Sequence, residues 1–582
     1  MFVRSELIQR SHMGLRRTWL YVIFLMSGFS GFADSSVEIP HILENISSTF
    51  IDYYAPREWK KEHFGWNLEN ELSTLQGSKN STKISDFHDS LKKFFTRTRD
   101  YHTGIYFCDT STATIPIGIK YIDDNFYLAY IDSSVPSSFT LMLGDKITHF
   151  NDVEIKELAY NLIGRVENPK PTDWALAAKK LTTRAGITRD KMEKGSVIIK
   201  AERDGMSVFG QLVWNYNANL MNFSRKAYKS KATFAAHVPE ELKESVVAII
   251  EHIESRPHKV IFAEHMKHAA QDKASNPLAL GSKESFLPPL GNKIIWSTEK
   301  QSRWQAYIYM NGDNKLVGFI RLPSFAPSEN DYAERAQEFG EIINKMEEIA
   351  DILVIDQQNN PGGSVFYLYT LLSMLSDQPL KNPHHRFTID SKEVWQAHDM
   401  LKKIDLAITL LPLIGGSLGD IHGYPINSQF FLHMKSYFQF IIDQWQEKKT
   451  LTDPYFLYGV DYIQPHEEYR YTKKLIVLTN ELDFSAGDFF PAILQDSGRA
   501  VIMGTKTAGA GGYVLSNSDR NRMGILKYTY TGSHALRADG TPLEDLGVTP
   551  DVPYGITPED LKTRFLGFRM VINALVSAVL SI

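Results

Sequence analysis

A single cysteine, Cys108, stands among 582 residues. No disulfide within the chain can staple it, so packing has to supply its stability. Apolar runs are short as well. The stretch Trp19 to Phe29 holds 11 residues, against the roughly 20 that a spanning helix needs. The terminal MVINALVSAVLSI is interrupted by Asn573 and Ser577, which predicts a docked core helix and no stable membrane insertion. Past the first residues no basic run is sustained, and the formal net charge is −5 with a pI near 6.4. That balance excludes nucleic acid as the main partner. There is no phosphate-cradling or dinucleotide fingerprint. His265 and His268 are spaced i, i+3, but no acid-and-histidine set completes a zinc site, so neither metal nor cofactor is expected.

What is present is ordinary globular material. Hydrophobic residues at 43% and charged residues at 23% sit near the averages of folded domains, so wholesale disorder is excluded. The length suits two to four domains. Arg16 and Arg17 precede the first apolar stretch, and Gly31 and Ala33 stand at minus three and minus one of a cut before Asp34. This pattern predicts a secretory signal peptide over 1–33.

From 34 to 114 the apolar residues recur at helical spacing, as in Phe87, Leu91, Phe94 and Phe95, and the region ends in the motif holding His102. Cys108 lies in the alternating run that follows, which predicts a buried small hydrophobe. Residues 115–215 alternate like strands and read as a compact, mostly β module. Residues 216–298 turn polar and Lys-rich, with helices expected near Glu240 to Ile253 and Val260 to Gln271. They read as a linker or removable segment. From 299 to 582 short β runs alternate with longer helical ones, which argues for an α/β catalytic domain. The fold class expected is thus multidomain α/β.

Acyl transfer in water needs a nucleophile, a base, a group that orients the base, and donors for the developing oxyanion. Ser485 follows the apolar strand Lys474 to Leu478 and opens a helical run. Unpaired backbone N–H groups there favour negative charge. The turn NNPGGS, Asn359 to Ser364, follows the strand Ile352 to Ile355, and its glycines let backbone approach a ligand closely. Gly362 or Gly363 with Ala486 are the candidate oxyanion donors. His102, in DYHTG, is the candidate base and Glu544, in TPLEDLGVTPD, its orienting partner. GGSLG around Ser417 has no clear preceding strand and reads as a loop.

These motifs occur together in a known order. DYH at Asp100, LGD at Leu143, GFIRLPSF at Gly318, DQQNNPGG at Asp356, DFSAGD around Ser485 and EDLGVTPD at Glu544 resemble the C-terminal-processing, or tail-specific, serine peptidase family. The resemblance implies a PDZ-like module over 115–215 and a serine endopeptidase without cofactor. Many members place a lysine about 25 residues past the serine, in the motif that GTKTAGAGG resembles. Here Ala510 stands there and Lys506 falls elsewhere in the motif. One branch uses serine, histidine and glutamate instead, and this sequence keeps all three. That branch implies a homodimer exported by an intracellular bacterium into the host cytosol, acting on host proteins after its linker removes itself by self-cleavage. PDZ domains add peptides as an extra strand, but in IPIGI, Pro116 removes a backbone donor. Internal cleavage is therefore expected over strict C-terminal recognition. A non-catalytic ligand carrier and a peptide-binding scaffold are the alternatives on the same fold.

Overall fold

The computed structural model describes residues 35–581 apart from 82, 219–232, 235–238, 256–275, 328–330, 415–416 and 519. The segment 1–33, the helix expected at Val260 to Gln271, and His265 and His268 lie outside the described residues. Helices α1 (Ser35–Tyr53), α2 (Arg57–Phe64), α3 (Leu68–Gln76) and α4 (Ile84–Arg97) open the chain. The 3.6-residue spacing on α4 puts Phe87, Leu91, Phe94 and Phe95 on one face, where they pack with Phe50 of α1. Strand β1 (Gly104–Phe107) leaves this bundle just after His102. Cys108 is exposed, contrary to the alternation reading. A register shift between Tyr106 and Phe107 breaks the period of two, so the next side chain turns outward.

The β module is built from β2 (Thr112–Thr114), β3 (Ile117–Ile122), β4 (Asn125–Ile131), β5 (Lys146–Phe150), α5 (Ile155–Leu162), α6 (Pro171–Thr182), β6 (Thr183–Ala185), β7 (Gly195–Arg203) and β8 (Met206–Asn217). Its strands lie in the order β3-β4-β5-β7-β8-β2-β6. Alternate residues such as Val197, Ile199 and Ala201 point into one core with Ala177, Ala178 and Leu181 of α6.

Within the polar stretch 216–298, α7 (Glu240–Ser255) is docked, with Leu242, Val246, Ile249 and Ile250 all inaccessible to solvent. Residues 276–290 cross between the module and the catalytic domain. Leu278, Phe286, Leu287 and Leu290 are buried there. The catalytic sheet begins inside this stretch, at edge strand β9 (Lys293–Ser297). β10 (Ala306–Met310) and β11 (Leu316–Arg321) continue it antiparallel. Then β12 (Ile352–Asp356), β13 (Lys474–Thr479), β14 (Val501–Gly504) and a two-residue strand at Val552–Pro553 add in parallel.

A parallel sheet is covered on both faces, so its strands read as unbroken apolar runs. Leu353 and Ile355 pack on one side with Phe339 and Ile343 of α8 (Tyr332–Ile349). Ile352 and Val354 pack on the other with Phe568, Ile572 and Val576 of the C-terminal helix Leu566–Leu580. The apolar C-terminus is thus a core helix, and among the described residues no helix is long and apolar enough to cross a membrane. Ser417 starts a short strand, Ser417–Ile421, where a loop was expected. Its partner Tyr424–Asn427 follows in a tight hairpin, a pairing that lies after the serine and so left no preceding strand to read.

One buried pair ties the crossing segment to the sheet. The Arg321 guanidinium, 1% exposed, donates to the Asp356 backbone carbonyl at 3.1 Å and to the Ser282 carbonyl at 3.3 Å, and lies 3.5 Å from the Asp356 carboxylate. Ser285 Oγ donates to that carboxylate at 2.6 Å. Asp356→Ala strands a buried cation, which typically costs about 3–5 kcal/mol. Guanidinium unfolding should register a loss of that size, and Asp356→Asn, which keeps an acceptor for Ser285, a smaller one.

Candidate active site

Ser485 sits where β13 turns into helix α9 (Ala486–Asp496). Its backbone, at φ 56° and ψ −117°, occupies a region that L-residues rarely adopt. Such strain costs of order 1–3 kcal/mol and persists only where surroundings enforce it. The Asp488 carboxylate does the enforcing. It accepts from the N–H groups of Ser485 at 2.8 Å, Gly509 at 2.8 Å and Ala510 at 2.9 Å, welding the serine turn to the GTKTAGAGG loop. Burial pushes Asp488 up to about 6. A sharp strand-to-helix turn of this kind presents a serine at the top of a sheet.

The NNPGGS turn closes against it. A Cβ on Gly362 would lie 2.9 Å from both Ser485 Cβ and Ala486 N, and one on Gly363 would lie 2.0 Å from Phe325 C. Only glycine allows this approach. The Gly362 N–H is donated to Asn360 Oδ1 at 2.8 Å, so Gly362 drops out as an oxyanion donor. Among the described residues the N–H groups of Gly363 and Ala486 have no hydrogen-bond partner. Beside Ser485 opens a small apolar cavity walled by Val365, Leu368, Phe489 and Ile493, with Asn382 and His385 in its lining.

His102 lies at the start of the turn into β1 and is 4% exposed. Its backbone N–H donates to Asp100 Oδ1 at 2.8 Å, and Asp100 Oδ2 accepts from Thr531 Oγ1 at 2.7 Å. β1 pairs antiparallel with the strand Ile525–Thr531, which fixes this corner on the catalytic domain. Burial lowers the imidazole pKa against the opposing pull of Asp100. Neither ring nitrogen has a hydrogen-bond partner, although the Gly511 backbone faces the ring closely enough to favour its charged form.

Glu544, fully buried, accepts from Lys60 Nζ at 2.5 Å on one oxygen and from the Gly511 N–H at 2.9 Å on the other. Burial and the nearby Asp100 push its pKa up, and Lys60 opposes them. Both oxygens face donors, an arrangement that suits the carboxylate. Lys60 Nζ also donates to Asp545 at 2.8 Å, and Asp545 pairs with Lys170 at 2.7 Å. Burial works against the Lys60 ammonium, but Asp545, Glu544 and Asp100 outweigh it and hold the proton on.

Among the described residues no hydrogen bond joins any two of the three predicted side chains, Ser485, His102 and Glu544. Gly511 is common to His102 and Glu544. Tyr101 and Phe484, the residues before His102 and Ser485, stack edge to face at 5.5 Å. Both pack with Ala510 and with Leu280 of the crossing segment. Sequence reasoning missed Lys60, Asp488 and Asp545. A lysine within REWKKEHF gives no sign of burial, and Asp488 had only its place in DFSAGD to mark it. Lys506 lines a separate cavity with Lys120, Lys170 and Glu481. Ala510, at the position of the common catalytic lysine, is buried and offers only its N–H. Among the described residues no group of acids, histidines and cysteines could hold a metal.

Comparison with known proteins agrees with this architecture. Residues 316–554 match Peptidase family S41 and residues 111–221 match a PDZ domain. A protein of Chlamydia pneumoniae is 31% identical, with 97% of this chain and 94% of that protein covered. An uncharacterized protein of Chlamydia muridarum is 32% identical, covering 88% and 87%. The crystal structure of mature CPAF matches with 27% identity and a TM-score of 0.76, covering 94% of this chain and 98% of that one. Mature CPAF complexed with lactacystin matches with 28% identity and a TM-score of 0.75, covering 94% and 99%. The chain belongs to peptidase family S41 and is a serine-type peptidase with a CPAF-like fold.

Asp488→Asn can accept with one oxygen only, so its amide nitrogen must face an N–H it cannot bond. Hydrogen bonds to a charged group are worth about 1.5–3 kcal/mol. The variant should unfold at lower denaturant by about that amount, and its kcat on casein should fall at least ~10-fold as the serine turn relaxes.

Proposed function

We propose that this protein is a secreted serine endopeptidase, made as a precursor, that works through Ser485, His102 and Glu544. The observation that carries the reading is the enforced backbone at Ser485, with two unused N–H groups, those of Gly363 and Ala486, beside it. Ser485 Oγ bonds to the peptide carbonyl carbon as His102 takes its proton. The two N–H groups receive the oxyanion, and the imidazolium returns the proton to the leaving amine. Water then cleaves the acyl-enzyme by the same exchange. Glu544 stabilises the imidazolium, held by Lys60 and linked to the ring through Gly511. The apolar cavity beside Ser485 favours substrates with a small apolar side chain at that point.

Self-cleavage within 216–298 is the step we assign to bringing the three side chains into hydrogen-bonding contact. Contact of Leu280 with Phe484 and Ala510 supports this, because it couples the end of that stretch to the serine turn. To this reading belong a leader over 1–33, supported by Arg16 and Arg17 before the apolar stretch Trp19 to Phe29, and, as the resemblance implies, export to host proteins in the host cytosol and a homodimer. Internal cleavage accords with Pro116, which withholds a backbone donor at the start of the module.

Three measurements test the reading. Ser485→Ala should lower turnover by about 10⁴-fold or more, since such residues act as a unit. Mass analysis should find cuts within 216–298 in the wild type alone, and equal cutting in both proteins overturns the assignment. His102 must be neutral to accept a proton, and burial lowers its pKa from the usual 6.5. Activity should therefore be full at neutral pH and be lost as pH falls through a value below 6.5. An acid limb centred above 6.5 contradicts the role given to His102.

A further inference from the structure

Next to the NNPGGS turn stands a serine and histidine pair that the proposed chemistry does not use. Ser364, the residue after Gly363, caps the helix Val365–Ser373, and its Oγ lies 2.7 Å from His422 Nδ1. His422 occupies the tight turn between the strands Ser417–Ile421 and Tyr424–Asn427, at φ 56°. The hairpin thus reaches the turn from 58 residues further along the chain.

Gly363 needs holding from outside. At φ 148° it uses backbone space open to glycine and closed to other residues, so its own torsions do little to fix where its N–H points. Phe325 holds the turn through the backbone. Its N–H donates to the Gly362 carbonyl at 2.8 Å, and its carbonyl accepts from the Ser364 N–H at 2.8 Å. On the helix side the tether is the Ser364 side chain. Its Oγ accepts from the Tyr367 N–H at 3.3 Å, a long and weak cap, so the 2.7 Å contact with His422 is the shorter of the two.

His422 is itself anchored twice. Its ring stacks on Tyr332, the first residue of α8, with centroids 3.9 Å apart, and its carbonyl accepts from Thr370 Oγ1 at 3.2 Å. A Cβ on Gly423 would come within 2.9 Å of Thr370 Cγ2, so the hairpin lies directly against the helix. One residue therefore grips the helix Val365–Ser373 at its cap and again at Thr370.

We propose that His422 is a positioning residue for peptide hydrolysis, keeping the Gly363 N–H aimed at the developing oxyanion through its contact with Ser364. The inference rests on the roles given above to Ser485 and Gly363. Losing one oxyanion donor typically costs about 10²- to 10³-fold in rate, and a donor left to wander forfeits part of that.

The rate of labelling by a fluorophosphonate reads that donor. Ser485 Oγ bonds to phosphorus as fluoride leaves, the hydroxyl proton passes to His102, and the phosphoryl oxygen takes the place of the oxyanion. His422→Phe keeps a ring on Tyr332 and removes Nδ1. His422→Asn offers an amide near the position of Nδ1 and tolerates a positive φ. Each chain is first incubated with a trace of wild type, so that all share one cleavage state, and its adduct is followed by intact mass. The maximal labelling rate should fall at least ~10-fold in His422→Phe, with the half-saturating probe concentration within ~3-fold of wild type. His422→Asn should recover most of the rate. Ser364→Ala should slow labelling in the wild type far more than in His422→Phe, because the two changes break one contact. Labelling of His422→Phe at the wild-type rate, or additive losses from the two sites, overturns the inference. If His422→Phe folds poorly, Ser364→Ala tests the contact from its other side, and a wild-type rate there overturns it too. A wild type that takes no label on Ser485 overturns the underlying reading as well, which tells the two failures apart.

Discussion

Everything at the catalytic crease hangs on one strained residue and the carboxylate that holds it. A serine at φ 56° is unfavourable by itself. Three N–H donors converging on the buried Asp488 offset that cost, and two of them come from a loop more than twenty residues away. The turn cannot relax without giving up hydrogen bonds in a place where water does not replace them. The same clamp fixes Ala486 at the head of its helix and sets Gly362 against the serine, close enough that any side chain there would collide.

A second buried charge cluster explains why the N-terminal helices belong to the enzyme. Lys60 comes from α2, yet its ammonium is enclosed by Glu544 and Asp545 of the catalytic domain, and Lys170 of the β module completes the group. Three regions far apart in the chain therefore share one set of charges. Removing Lys60 leaves the buried Glu544 without its cation, a loss far larger than a surface pair would cause. The antiparallel pairing of β1 with Ile525–Thr531 adds a backbone tie at the same corner. His102 is positioned by this scaffold and not by a bond to its own ring.

Much of this was legible in the residues, and what was not has physical reasons. Short apolar runs such as Ile352 to Ile355, alternating with longer helical ones, announced an α/β catalytic domain. The spacing of Phe87, Leu91, Phe94 and Phe95 announced the α4 face, and the DFSAGD motif put Ser485 at a helix start. Lys60 was invisible because a lysine's burial depends on carboxylates hundreds of residues away. The loss of Gly362 as a donor did have a local signal: an asparagine commonly bonds the backbone two residues on, as Asn360 does here. Cys108 went astray because a register shift breaks the alternation that placed it inside. The helix expected near Glu240 to Ile253 is α7, and what the polar composition of 216–298 concealed is its docking, through four buried aliphatic residues on one face of an otherwise charged helix.

The central claim is that the enforced turn makes Ser485, alone among the serines, an activated nucleophile. Reaction of the folded chain with a fluorophosphonate, followed by peptide mass mapping, tests it most directly. The account predicts a single phosphonyl adduct on Ser485, absent after Ser485→Ala and after denaturation. An adduct on another serine, or an unlabelled chain that still hydrolyses casein, would contradict it.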